Sequence, residues 1–217
     1  MIEYFKFELN LQCKKMGDIL LPALFFLITI IIMPFTVRPE TDLLREIVVG
    51  LIWTALILST FLSSERLFGD DIHDGYIDRY KDLSLPLEVI FFIKSLVFAI
   101  IRLAPLIMVL PIVGLLFHLS FLEVMRIIVM LLIAAPGLLF FSAFGALLSA
   151  GLRSVGLMVF ILILPLILPA IIFGASGCDI EKMLSDVFKL PLAFSLFSVV
   201  LTTSFSGYLI KIIYSER

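Results

Sequence analysis

Apolar runs of about 18 to 25 residues recur six times along this chain, near Ile19–Val37, Ile47–Ser63, Ser95–Phe117, Ile127–Ala150, Val155–Gly174 and Pro191–Tyr214. A hydrocarbon core of roughly 30 Å needs about 20 helical residues at 1.5 Å each. Each run is therefore predicted to cross a membrane. Lipid offers no hydrogen bonds to the backbone, so spans of this length must be helices or a closed barrel. A barrel would show segments of about ten residues with strict alternation, and Leu132–Leu148 shows none. Composition agrees: 62% of residues are apolar, 21 are Phe, and 16% are charged against about 25% in soluble domains. The predicted fold is an all-α integral membrane protein, a single domain over residues 1–217 with six transmembrane helices. The opening residues lack a charged n-region, a short apolar core and a small-residue cleavage site, so the first span is expected to stay.

Short loops rich in Lys and Arg stay in the cytoplasm. With the N-terminus inside, the cytoplasmic side holds Lys6, Lys14, Lys15, Arg66, Arg79, Lys81, Lys94, Arg153, Lys211 and Arg217. The outer loops hold Arg38, Arg45, Arg126, Lys182 and Lys189, with Arg102 inside a span. Both termini are therefore expected to be cytoplasmic. Cys13 then falls inside and Cys178 outside, which forbids an internal disulfide, and neither suggests a metal or redox site. Before the first span, residues 1–18 place Ile2, Phe5, Leu9 and Cys13 along one stripe, with Glu3, Lys6, Asn10, Lys14 and Lys15 off it. That spacing suits a helix lying in the membrane interface; the alternative is an ordinary lead-in to the first span.

The longest polar stretch runs over residues 64–94. Glu65, Asp70, Asp71, Asp74, Asp78 and Asp82 face Arg66, Arg79, Lys81 and Lys94, so the loop is net negative. Leu67, Phe68, Ile72 and Tyr76 recur at spacings of three and four, giving a short helix an apolar stripe flanked by carboxylates, and Gly75 is placed to end it. A membrane subunit driven by a separate ATPase needs such a helix to sit in a cleft of the nucleotide-binding subunit. The plainer reading is a solvated linker. Metal chemistry by Asp70, Asp71 and His73 is disfavoured, because hard cations want six or more oxygens. No Gly-x-x-x-x-Gly-Lys-Ser/Thr run occurs, so ATP is expected to be hydrolysed by another chain.

Glu65-Arg66-Leu67-Phe68, then Asp70-Asp71, Asp74-Gly75, Leu83, Leu85-Pro86-Leu87 and Lys94, resemble the signature loop of the heme-exporter protein B (CcmB) family. Gly50-Leu51-Ile52-Trp53, Ala135-Pro136-Gly137, Gly151-Leu152-Arg153 and the stretch Leu164–Phe173 are similar to that family in order and spacing, so the resemblance covers nearly the whole chain. It departs at Lys81-Asp82-Leu83-Ser84 and at Arg102. The resemblance implies an ABC-2 type permease with a cytoplasmic coupling helix, the membrane subunit of a cytochrome c maturation ABC transporter in a bacterial inner membrane. It implies heme as the substrate handled at the outer face. The implied partners are an ATP-binding subunit (CcmA), a heme-handling membrane subunit (CcmC), a small single-span subunit (CcmD) and a periplasmic heme chaperone (CcmE). Two copies per complex are expected, with no nucleic acid. Glu65, Arg66, Phe68, Asp70, Asp71, Asp74 and Gly75 are then the ATPase-coupling residues.

Heme iron wants an axial His, Met, Cys or Tyr. His73 and His118 fall on opposite sides of the membrane, so this chain is expected to bind neither heme nor another cofactor or metal by itself. Pro165 and Pro169 should kink the fifth span, and the bend is either a hinge or path or a packing irregularity alone. Ser142, Ala146 and Ala150, with Gly145 and Ser149, permit close helix approach in the fourth, either within one chain or between two. Arg102 lies about 12 Å beyond Lys94 along a helix, deep enough either to line a polar path or to snorkel. An intramembrane enzyme would need a catalytic set within the spans, and an ion-driven carrier would need midplane carboxylates; the runs show neither. The competing function is an ABC-2 type permease exporting another amphiphile, a lipid-linked glycan or a drug.

Overall fold

The computed structural model describes residues 1–36, 41–64, 67–69, 85–151, 156–178 and 187–215. Seven long helices fill them: α1 (Ile2–Lys14), α2 (Met16–Thr36), α3 (Thr41–Ser64), α4 (Leu87–Leu116), α5 (Phe121–Gly151), α6 (Gly156–Ser176) and α7 (Lys189–Ser215). No strand occurs among the described residues, as the composition and the lipid constraint require.

Five helical segments among the described residues are long and apolar enough to cross a membrane: Met16–Thr36, Ile47–Gly69, Leu87–Leu116, Phe121–Gly151 and Lys189–Ile213. The segment expected as the fifth of six spans is helical from Gly156 to Ser176, but its counted apolar stretch, Ile161–Ser176, is shorter than the rest. At 30 and 31 residues, α4 and α5 reach about 45 Å and exceed the hydrocarbon core. Their extra turns explain why both begin earlier than their apolar runs, Leu87 rather than Ser95 and Phe121 rather than Ile127. Glu88, Lys94, Glu123 and Arg126 lie in those turns and interrupt the pattern.

The ends of this pair are set by local chemistry. His118 takes φ 52°; its N–H donates to the Leu115 carbonyl at 3.4 Å and the Leu119 N–H to the Gly114 carbonyl at 2.8 Å. That reciprocal pattern stops α4 with a left-handed residue where glycine is usual. Two residues on, Ser120 and Glu123 close a capping box. The Ser120 N–H donates to Glu123 Oε2 at 2.5 Å and the Glu123 N–H to Ser120 Oγ at 3.3 Å. The turn between α4 and α5 is thus short and specified on both sides.

The core lies between α3, α4, α5 and α6, around Trp53, Leu56, Phe98, Leu110, Leu138, Phe141 and Ile167. Helix α5 is the hub, packing most broadly on α7 and α6. Small residues make this possible. A Cβ at Gly137 would lie 2.9 Å from Ser198 Oγ and 3.0 Å from Ser195 Cα of α7. Ala146, from the small face expected on the fourth span, and Ala143 beside it share a cluster with Ile210 of α7 and Phe91 of α4. Seven prolines, Pro22, Pro34, Pro105, Pro111, Pro136, Pro165 and Pro169, lie within helices that continue past them.

Helix α1 departs from the stripe read in the sequence. Tyr4 and Glu8 are its buried residues, with Phe5 and Leu9 half-buried, whereas Ile2 and Cys13 are exposed. The helix has turned the Tyr4–Glu8 edge inward because α4 offers Ile90, Ile93, Val97 and Ile101 for the ring to pack on.

Candidate functional site

Charge and packing converge at the end of the bundle where α1 meets the first turns of α4. Helix α1 carries Glu8 inward, and the second turn of α4 carries Lys94, which the sequence had placed in the cytoplasmic loop. Their side chains are 3% and 4% exposed, with Lys94 Nζ 3.8 Å from Glu8 Oε1. Gln12, one turn along α1, donates from Nε2 to the same carboxylate oxygen at 2.8 Å. A buried carboxylate and ammonium are tolerated because each neutralises the other and hydrogen bonds help satisfy the acceptor.

Lys94 also lies over the Phe68 ring, 5.2 Å from its centroid. Phe68 is 2% exposed and stacks on Phe91 of α4 at 5.7 Å with an interplanar angle of 9°. With Leu67 it packs against α4, α5 and α7. Of the seven residues named as ATPase-coupling, Phe68 alone lies among the described residues. Glu65, Arg66, Asp70, Asp71, Asp74 and Gly75 lie outside the described residues, as do Ile72 and Tyr76.

Two turns beyond Lys94, Arg102 points to the junction of α1 and α2. One terminal guanidinium nitrogen, Nη1, donates to the Asp18 carbonyl in the first turn of α2, and the guanidinium carbon lies 5.1 Å from the Phe98 ring centroid. Arg102 is 7% exposed. Helix α4 starts 15 residues earlier, at Leu87, and the first turn of α2 meets it at Arg102. Glu8, Lys15, Asp18, Lys94 and Arg102 together line a small open cleft whose remaining walls include Gln12, Ser63, Ile19, Phe98 and Ile101.

The other residues singled out are not gathered here. Pro165 is exposed and Pro169 half-buried on α6. At the opposite end, Arg126 Nε donates to the Gly177 carbonyl at 3.0 Å, tying α5 to the turn after α6. Burial pushes the neighbouring Cys178 thiol up to about 12, and the Arg126 charge acts in the opposite direction. No group of His, Cys, Asp and Glu able to hold a metal occurs among the described residues.

The pair that organises this end, Glu8 and Lys94, was missed as a pair by reading the sequence. The signal was present. Lys94 interrupts an apolar run that extends from Val89 to Ile101, and an ionisable side chain in such a run calls for a named partner.

The chain matches the family model described as CcmB protein over residues 1–210. It is similar to Heme exporter protein B of Paracoccus denitrificans (strain Pd 1222), 38% identical over 170 residues that cover 78% of each chain. The protein of the same name from Haemophilus influenzae (strain ATCC 51907 / DSM 11121 / KW20 / Rd) is 35% identical over 175 residues, 81% of this chain and 79% of its own. That of Escherichia coli (strain K12) is 35% identical over 179 residues, 82% and 81%.

Proposed function

The chain belongs to the CcmB family, and from that premise we propose that it is the membrane subunit of a heme-exporting ABC transporter serving c-type cytochrome biogenesis. The observation that carries the reading is the family match over residues 1–210 together with relatives named Heme exporter protein B that it matches over about four-fifths of their length. The multi-pass helical architecture is what such a subunit requires.

Finer parts of the reading follow from the chemistry of the chain. The permease has an ABC-2 type arrangement, with α1 as an interfacial helix, α6 as the fifth of six crossings and both termini cytoplasmic in a bacterial inner membrane. The 21 residues of α6 would extend about 31 Å, enough for the core. The chain hydrolyses no ATP itself, since no phosphate-cradling motif occurs in it. A CcmA-like subunit supplies hydrolysis, two copies of the chain pair in the complex, and CcmC-, CcmD- and CcmE-like partners take part in handling heme.

Residues 64–94 receive the stroke of the ATPase. Their carboxylates, Glu65, Asp70, Asp71 and Asp74, meet the ATPase, with Arg66 and Gly75 shaping the short helix. Phe68 is the inner anchor. Because it is stacked on Phe91 and sits beneath Lys94, a push on the loop reaches α4, α5 and α7 through packed side chains and reaches α1 through the Glu8 pair. Pro165 and Pro169 give α6 two missing backbone donors, the weakness a hinge needs.

Deletion of the gene in its host, followed by heme staining of c-type cytochromes and of the periplasmic chaperone, tests the function. Loss of cytochromes is expected. A chaperone left empty then assigns ATP use to heme export, and a heme-loaded chaperone that accumulates assigns it to chaperone release. Unchanged cytochromes would overturn the reading and favour a permease for another amphiphile.

A further inference from the structure

Helix α1 is fastened to the bundle by little. Tyr4 packs on Ile90, Ile93, Val97 and Ile101 of α4 with Phe5 and Leu9 half-buried beside it, while Ile2, Phe7 and Leu11 stay exposed. The other buried side chain of α1 is Glu8, and it is held by charge, with Lys94 Nζ 3.8 Å away. A helix meant to stay in place is held as well by hydrocarbon, since apolar residues of similar volume often replace a buried ion pair at no loss of stability. What charge adds is a single register that is lost outright once the partners part, and such register and switch roles are the best-attested use of buried ions.

Three features supply the means of parting them. Lys94 is shared: its ammonium lies over the Phe68 ring, 5.2 Å from the centroid, so movement of Phe68 alters the surroundings of the same nitrogen that holds Glu8. The pair borders an open cleft of about 40 Å³ that Gln12 and Ser63 also line. That is room for a water molecule, and solvent can take up both charges as they separate. The third feature is a hinge. Lys15 alone separates α1 from α2, and its ψ of 63° breaks the helix there, the kind of element-terminal residue that absorbs hinge motion. Beyond the hinge Arg102, two turns along α4 from Lys94, holds the Asp18 carbonyl and keeps the start of α2 in place.

We propose that α1 is a strap hinged at Lys15, which Lys94 holds on α4 through Glu8 while Phe68 is seated and releases when the ATPase displaces Phe68. The strap rests on the coupling role of residues 64–94 and adds to it a second position for α1.

The test uses the full complex with its ATPase in lipid nanodiscs. On a Cys13→Ser background a cysteine is placed on either side of the seat, Tyr4→Cys or Ile93→Cys, and its maleimide labelling is timed by peptide mass spectrometry, without nucleotide and with ATP and vanadate. Each cysteine is expected to label at least tenfold faster in the trapped state. With Glu8→Gln/Lys94→Met added, the two states should label at one rate, and host cells carrying that uncharged pair should form less than a tenth of the wild-type c-type cytochromes although the subunit still co-purifies with its ATPase. A merely structural pair would predict the reverse, full cytochrome formation once stability is restored. That result, or labelling of Ile93→Cys at equal rates in the two states, overturns the strap; Ile93→Cys decides because it leaves the Tyr4 ring and the ion pair in place. The coupling reading beneath the strap is judged apart from it. Charge reversal at Asp70, Asp71 and Asp74 that leaves the ATPase bound removes the coupling role, whereas a loop that needs those carboxylates together with an α1 that never lifts removes the strap alone.

Discussion

A lysine ammonium among apolar helices is tolerated only where its charge is met nearby, and Lys94 meets it twice, at the Glu8 carboxylate and over the Phe68 ring. Removing one member of a buried pair leaves the other uncompensated, which typically costs 3–5 kcal/mol. Lys94→Ala should therefore lower stability by about 3 kcal/mol, read as a drop in thermal midpoint in detergent. The double variant Glu8→Gln/Lys94→Met should recover most of the loss; an equally unstable double variant would show that shape, not charge, is what Lys94 supplies. The cysteines give a second contrast. Cys13 is exposed, while the Cys178 thiol is raised by burial from its ordinary 9.0 to about 12. Thiolate is the reactive form, so at pH 8 a maleimide should label Cys13 and spare Cys178 until the protein is denatured. The raised value also fixes a sign: the folded state holds the proton more tightly, so this stabilisation is complete below about pH 9 and is lost as pH climbs toward 12. Fast labelling of Cys178 in the native protein would contradict its burial.

Helices α3 and α6 meet through one glycine. A Cβ placed at Gly174 would overlap Cζ2 of Trp53, whose indole is fully buried, with no partner for Nε1 among the described residues. A large rigid ring cannot step aside as a flexible chain end would. Gly174→Ala should then force α6 away from α3 and destabilise by about 1–3 kcal/mol, the usual cost of overpacking. Trp53→Phe introduced with it should restore part of the loss. Additive losses in the two variants would mean that the glycine and the ring do not share this contact. The same logic explains why α5 and α7 lie so close at Gly137, where Ser195 and Ser198 fill the space a side chain would occupy.

For the molecule as a whole, the decisive prediction concerns the loop that precedes α4. Reversing charge at Asp70, Asp71 and Asp74 to Lys should leave the protein inserted but abolish co-purification with its ATPase and c-type cytochrome formation; normal assembly and activity would remove the coupling role. The membrane-bundle class was legible in the sequence, because lipid forces apolar runs into helices and leaves little choice of class. The helix ends were less so. Lys94 and Arg126 look like loop residues until a partner from elsewhere in the chain buries them, Glu8 in one case and the Gly177 carbonyl in the other. The inward edge of α1 was misread for the same reason. Periodicity marked Ile2, Phe5, Leu9 and Cys13, whereas Tyr4 and Glu8 are buried because of what α4 presents to them. The Ser120–Glu123 cap was readable from its spacing alone, since it depends on nothing outside its own turn. Local chemistry can be read along a chain; contacts between distant segments must be seen.

That distance has an effect on how the protein is born. Arg102 reaches back 84 residues to Asp18, and Glu8 waits for Lys94 over a similar separation. At about 5–20 residues per second, the ribosome needs roughly 4 to 17 seconds to supply both partners after the first helix has emerged. Through that interval α1 has no α4 to pack on and Glu8 lacks the ammonium that neutralises it in the folded chain. Helix α1 can take its seat only once α4 has been made.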